Sequence, residues 1–246
     1  MERNVIRDSA GIPASMAMTS VYETLLRSNI IVINGEITDE MADTVVAQIL
    51  CLNAKNPNVP ITFYINSPGG SVTAGMAIYD MMHYVANPIV TTGTGLCASM
   101  AAVLLSSGDA GRRYATPNAK IMIHQPSTGV NYSNVTDLQI VANEAEKTKK
   151  LLTDLLLENS HKKPDNGKAG YDPETKKELS REKLANMLEH DTYLTAEEAL
   201  TYGFIDGIAD TANHMIRRED LTQRRPAPAR RPAAPAPKPA PKKPML

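Results

Sequence analysis

Tryptophan is absent and cysteine occurs only twice, at Cys51 and Cys97. Two thiols are too few for a disulfide framework or a structural zinc site, and they fit a reducing compartment. Long apolar runs are missing as well. The longest small-and-apolar stretch, Gly95 to Leu105, falls short of the roughly 20 residues that cross a bilayer, so a buried helix is expected there, with no membrane partner and no metal. The N-terminus, crowded by Glu2, Arg3, Arg7 and Asp8, lacks the apolar core of a secretory signal. A cytoplasmic location, or an organelle matrix or stroma, is the expectation. Neither a Gly-x-Gly-x-x-Gly fingerprint nor a Gly-x-x-x-x-Gly-Lys-Ser/Thr loop occurs, which argues against phosphate binding. No repeat of solenoid type is found.

What is there reads as an ordinary globular chain, with 42% hydrophobic and 22% charged residues among 246. The net charge of −1 conceals an asymmetry. Residues 224–246 carry seven Lys or Arg, no acid and eight of the seventeen prolines, leaving nineteen basic and twenty-seven acidic side chains, a net of −8, on the rest. The segment 213–246 is therefore expected to be a basic, Pro/Ala-rich disordered tail, since such a composition cannot bury apolar area. It has no aromatic residue to stack on bases, and nucleic acid is not an expected partner.

Residues 1–19 show no clear period and read as an N-terminal arm or axial segment. The β-branched run Ile30-Ile31-Val32-Ile33, closed by Asn34-Gly35, predicts a buried strand and a turn. A helix follows, capped by Thr38, carrying Met41, Val45, Ile49 and Leu52 at helical spacing, and stopped by Asn56-Pro57. The cycle repeats with a strand at Ile61 to Ile65 and a helix from about Thr73 to Val85. It repeats again with a strand at Ile89 to Thr92, a turn at Gly93 to Gly95 and a helix at Ser99 to Leu105. A strand ending at Ile123 completes an α/β pattern with a largely parallel sheet. After Pro126 the pattern changes. About residues 136–157 contain no Gly or Pro and predict one long helix; about 159–180 are polar, with Pro164, Gly167, Gly170 and Pro173, and predict a loop. A helix over Arg181 to Leu188 is followed by another that Thr195 and Glu198 cap reciprocally and Gly203 ends.

In such folds reactive groups gather where strands end and helices begin, because helix N-termini offer unpaired N–H groups. Three places qualify: Ser67-Pro68-Gly69-Gly70, where a backbone can approach a ligand closely; Ser99, at the first turn of an apolar helix; and His124, after a buried strand. Each alone has a structural reading, as a turn, a helix cap and a strand-end histidine. Cys97 is a second nucleophile candidate, although a small hydrophobe facing the interior is its simpler role. Any of Asp137, Asp154, Asp172 or Asp191 could orient the imidazole.

Ile65-Asn66-Ser67-Pro68-Gly69-Gly70, then Thr73-Ala74-Gly75-Met76-Ala77-Ile78-Tyr79-Asp80, then Ala98-Ser99-Met100-Ala101, then Met122-Ile123-His124-Gln125-Pro126 resemble the ClpP family, the proteolytic subunits of the ATP-dependent Clp protease. The likeness runs from about Tyr22 to Ile208 in the right order. It implies the ClpP/crotonase-like fold of repeated strand–helix units with a long protruding handle helix at 136–157, in a peptidase domain of residues 20–212 bearing an insertion at 159–180. It implies a serine endopeptidase with Ser99 as nucleophile, His124 as general base and Asp191, in the segment Glu189 to Ala199, as the acid that orients it. The oxyanion donors would be the backbone N–H groups of Gly70 and Met100. It implies no cofactor in this subunit, ATP being used by the partner. The implied partners are further copies of the chain in stacked heptameric rings, an AAA+ unfoldase of the ClpX, ClpA or ClpC type, and unfolded polypeptide lying between Gly70 and the segment 125–132. Tyr64 and Tyr84 match aromatic positions where the unfoldase docks, while Thr62 replaces a common aromatic. Two other readings stand beside this one: a crotonase-like acyl-CoA enzyme that uses Gly70 and Met100 to hold a thioester oxyanion, and a non-catalytic subunit of a mixed ring.

Overall fold

Alternating burial along Ile61-Thr62-Phe63-Tyr64-Ile65, with Ile61, Phe63 and Ile65 fully buried, marks a strand with one face on the core. The computed structural model of the chain describes residues 14–127, 129, 134–163, 170–211 and 214–217. Its first elements are α1 (Ala14–Arg27), β1 (Ile30–Asn34), α2 (Asp39–Lys55), β2 (Ile61–Ser67), α3 (Val72–Tyr84), β3 (Ile89–Ala98) and α4 (Met100–Ser106). There follow β4 (Arg113–Ala115), β5 (Lys120–Ile123), α5 (Val135–Ser160), α6 (Arg181–Leu188), β6 (Thr192–Thr195), α7 (Ala196–Tyr202), β7 (Gly207–Thr211) and β8 (His214–Arg217). The strands form one sheet in the order β1-β2-β3-β4-β7-β8, with β5 on β3 and β6 on β5. All pairs are parallel except β5–β6 and β7–β8. This is the mixed α/β architecture the resemblance implied.

Local chemistry sets the helices. Thr38 Oγ1 accepts from Met41 N at 3.2 Å, Asp39 and Glu40 lie at the positive end of α2, and Ala42, Val45, Ile49 and Leu52 bury one stripe. Ser71 Oγ likewise caps α3 through Ala74 N at 3.2 Å. Each large apolar side chain buried between helices and sheet contributes about 1.5–3 kcal/mol, and this packing outweighs the weak intrinsic propensity of short helices.

Several expectations need correction. Residues 14–19, read as part of an arm, belong to α1, whose partly buried Leu26 packs on the core; residues 1–13 lie outside the described residues. The turn expected at Gly93 to Gly95 is a bulge inside one continuous strand. Gly95 takes φ +61°, and Asn66 Oδ1 accepts from Leu96 N at 3.1 Å in place of a ladder bond, so β3 runs on to Ala98. The bulge divides the labour of β3: residues 91–93 pair with β4 and 96–98 with β5. The tail expected from residue 213 does not begin there, since His214–Arg217 form β8 on β7; residues 218–246 lie outside the described residues. The long helix extends three residues further, to Ser160.

The 159–180 stretch is not all loop. Gly170 N donates to Ser160 O at 3.0 Å, Tyr171 bridges Glu178, and Asp172 is buried, whereas residues 164–169 lie outside the described set. Near its start α5 is solvent-exposed, with Val135 at 82% and Ile140 at 61%, and it buries Leu152, Leu156 and Asn159 only near its end. It therefore projects from the body.

Candidate active site

Ser99 stands between β3 and α4 with φ 56° and ψ −123°, a conformation that L-residues rarely adopt. It is the N-cap of α4, yet its hydroxyl makes no capping bond, so the reading of Ser99 as an ordinary cap does not hold. A sharp strand–serine–helix turn of this kind thrusts the side chain out of the sheet. The loop after β2 permits it. Gly69, at φ +93°, passes so close that a Cβ there would lie 2.7 Å from Ser99 Cβ and 2.7 Å from Ala98 O. Gly70, at φ +149°, bridges Ile37, where a Cβ would collide with the Ile37 carbonyl. That bridge uses Gly69 O and Ser71 N, leaving the Gly70 N–H outside it. Met100 opens α4, so its N–H has no intrahelical acceptor.

Three adjacent strands carry the remaining members to the same end of the sheet. Ser99 N donates to Met122 O at 2.8 Å, which holds the turn against β5, and His124 follows β5 immediately. The antiparallel register of β5 with β6 pairs Ile123 with Thr192, so one step further His124 faces Asp191. Their side chains meet, His124 Nδ1 to Asp191 Oδ1, at 3.2 Å. Because a carboxylate can only accept, this bond calls for the proton on Nδ1, the tautomer in which the Nε2 lone pair is free. The histidine side chain is 24% exposed and the aspartate 58%.

Neighbours secure the acid-bearing segment. Gln125 donates through N to Leu188 O at 2.8 Å and through Nε2 to Glu189 O at 3.2 Å, while Thr192 Oγ1 donates to Met187 O at 2.6 Å. Lys149 on α5 bonds Glu189 at 2.9 Å and holds its carboxyl below the usual carboxylate range.

The competing aspartates lie elsewhere. Asp137 is in the first turn of α5, Asp154 pairs with Arg181, and Asp172 closes a turn by accepting from Glu174 N and Thr175 Oγ1. Cys97 is fully buried and donates to Ile65 O at 3.2 Å, and burial pushes its thiol up to about 12. It stays protonated, and a thiol in that state is no nucleophile.

Ser99 and His124 line one pocket with Val72, Val103, Pro126, Leu152 and Leu156. The two leucines from α5 were visible in the sequence only as a helical stripe; four residues apart, they share the face that closes this pocket. Tyr64 and Tyr84 are exposed at 41% and 78%, on β2 and at the end of α3. No cluster of three or more His, Cys, Asp or Glu able to hold a metal exists among the described residues, and no described helix is long and apolar enough to cross a membrane.

A strained serine between strand and helix, in one pocket with a histidine that hydrogen-bonds a carboxylate, is an arrangement of the kind serine hydrolases use on α/β folds. The family model for Clp protease matches residues 13–212, and the chain belongs to the Clp protease family, a family of serine peptidases.

Proposed function

We propose that the protein is a serine endopeptidase acting through Ser99, His124 and Asp191. His124 Nε2 takes the Ser99 hydroxyl proton as Oγ attacks the scissile carbonyl, and the Gly70 and Met100 N–H groups receive the oxyanion. The imidazolium, steadied by Asp191, returns the proton to the leaving amine, and water then hydrolyses the acyl-enzyme by the same relay. No cofactor of this subunit enters these steps. The observation that carries the reading is the φ 56° turn at Ser99, whose uncapped hydroxyl lines the same pocket as His124. Local strain without a structural purpose is a marker of function.

The family adds the assembly. The reading includes two stacked heptameric rings with the projecting part of α5 between them, and an AAA+ unfoldase that spends ATP to feed unfolded polypeptide into the chamber. Exposed Tyr64 and Tyr84 support a docking role at the ring edge. Substrate would run between Gly70 and residues 125–132, bound by main-chain hydrogen bonds that read little sequence; of that segment, residues 128 and 130–132 lie outside the described residues.

A fluorophosphonate probe is expected to label Ser99 and to label nothing in Ser99→Ala. Labelling at Cys97, or an unlabelled parent that turns over an enoyl-CoA thioester but no fluorogenic peptide, overturns the reading.

A further inference from the structure

Behind the site, three helices end at one guanidinium. Arg113, the first residue of β4, is fully buried and forms a two-pronged pair with Asp206, Nε to Oδ2 at 2.8 Å and Nη2 to Oδ1 at 2.6 Å. Its Nη1 group donates to Asn159 O at 2.6 Å, Gly203 O at 2.9 Å and Ser106 O at 3.3 Å. These carbonyls belong to the C-terminal ends of α5, α7 and α4. The negative ends of three helix dipoles thus converge on one positive charge. The α4 end is gripped further: Asn159 Nδ2 donates to Ser106 Oγ at 3.1 Å, and Lys162 Nζ donates to Ser107 O and Gly108 O at 3.0 and 3.2 Å.

Each helix gathered here leads to a different part of the site. At its other end α4 begins with Ser99 and Met100. The α5 helix supplies Leu152 and Leu156 to the pocket, and α7 continues directly from β6, which Asp191 precedes. Stability is a poor reason to bury this pair, because well-packed apolar residues of similar volume often serve as well or better. Geometry is a better one, since a guanidinium directs its donors in a fixed plane and can hold several groups at set angles. At 1.5 Å per residue α4 is about 10 Å long, so Arg113 touches no substrate.

We propose that Arg113 is a positioning residue that, by holding the C-terminal carbonyls of α4, α5 and α7 on one guanidinium, sets the nucleophile turn, the pocket wall and the acid-bearing segment in register. The proposal rests on the peptidase reading above, and its test separates the two.

Two variants of the full chain serve: Arg113→Lys, which keeps a charge but loses the fork, and Arg113→Met with Asp206→Leu, which leaves no unpaired carboxylate. The measurements are the rate constant of fluorophosphonate labelling at Ser99, kcat and KM for a fluorogenic peptide per labelled site, and the methyl resonance of Met100. A positioning role lowers the labelling rate constant and kcat at least tenfold in the double variant and severalfold in Arg113→Lys, with KM within about threefold, and it shifts the Met100 methyl signal. A merely structural role lowers the fraction of protein that labels but leaves the rate constant and the Met100 signal of the folded fraction at parent values; that result overturns the proposal. If the parent itself does not label, the peptidase reading fails. The Met100 signal then still decides whether Arg113 sets α4: moved, it supports that role; unmoved in both variants, it refutes it.

Discussion

At the scale of single residues, strain and burial decide roles that residue type leaves open. Ser99 and Cys97 are both nucleophiles by composition, but one sits in a turn that costs about 1–3 kcal/mol and the other donates from a sealed interior. Ser99→Ala is expected to lower kcat by about 10⁶ without unfolding the protein, read by steady-state peptide hydrolysis beside a thermal melt. Gly69→Ala places a methyl against Ser99 Cβ at a φ of +93°, and its peptidase activity should fall by about 10² or more. Activity near that of the parent would show that this contact does not shape the turn.

Lys162 yields a stability prediction. Burial, reinforced by the Arg113 charge, pushes its ammonium down to about 8 from an ordinary 10.5. Between those values the unfolded chain binds the extra proton, so this group makes stability rise with pH by at most about 1 kcal/mol per unit. Above pH 9 the opposite sign enters, because the native fold retains the Cys97 proton that the unfolded chain gives up. Urea unfolding at pH 8 and 9 should show the rise in the parent and lose it in Lys162→Met; an equal slope in both assigns the rise to another group.

At the scale of elements, caps and periodicity were legible and bulges were not. The Thr195–Glu198 capping box is present, Glu198 N to Thr195 Oγ1 at 3.2 Å and Thr195 N to Glu198 Oε2 at 2.8 Å. Thr195→Ala should cost about 1 kcal/mol by chemical denaturation. Leu156→Ala should cost about 2–5 kcal/mol and open the pocket, slowing hydrolysis of peptides with a bulky apolar residue before the scissile bond more than those with alanine there. The Thr38 cap of α2 was equally plain, since a cap is chemistry within four residues of sequence. The bulge in β3 was hidden because the group that replaces its ladder bond, Asn66, lies 30 residues away. The three-residue β4 was hidden for a different reason: it opens on a buried arginine whose partners come from four other segments.

At the scale of the whole molecule, the projecting part of α5 presents Val135, Leu138 and Ile140 to solvent, on more than one side of the helix. Under the ring reading, native mass measurement should return about fourteen times the 26.7 kDa chain, and Ile140→Glu should shift the population toward half that mass. A parent that runs as a monomer would sink that reading.

The sequence alone determined what propensity and motif can carry: the α/β alternation, the capped helices, the glycine pair after β2 and Ser99 and His124 as candidate site residues. Those are properties of short stretches, or of a likeness spread along the chain. Tertiary structure alone decided which of four aspartates meets His124 across 67 residues, because only the antiparallel register of β5 with β6 sets them opposite each other. It also decided that Ser99 is bent rather than capping and that Arg113 lies beneath three helix ends, since both follow from backbones that approach one another only after the sheet has formed.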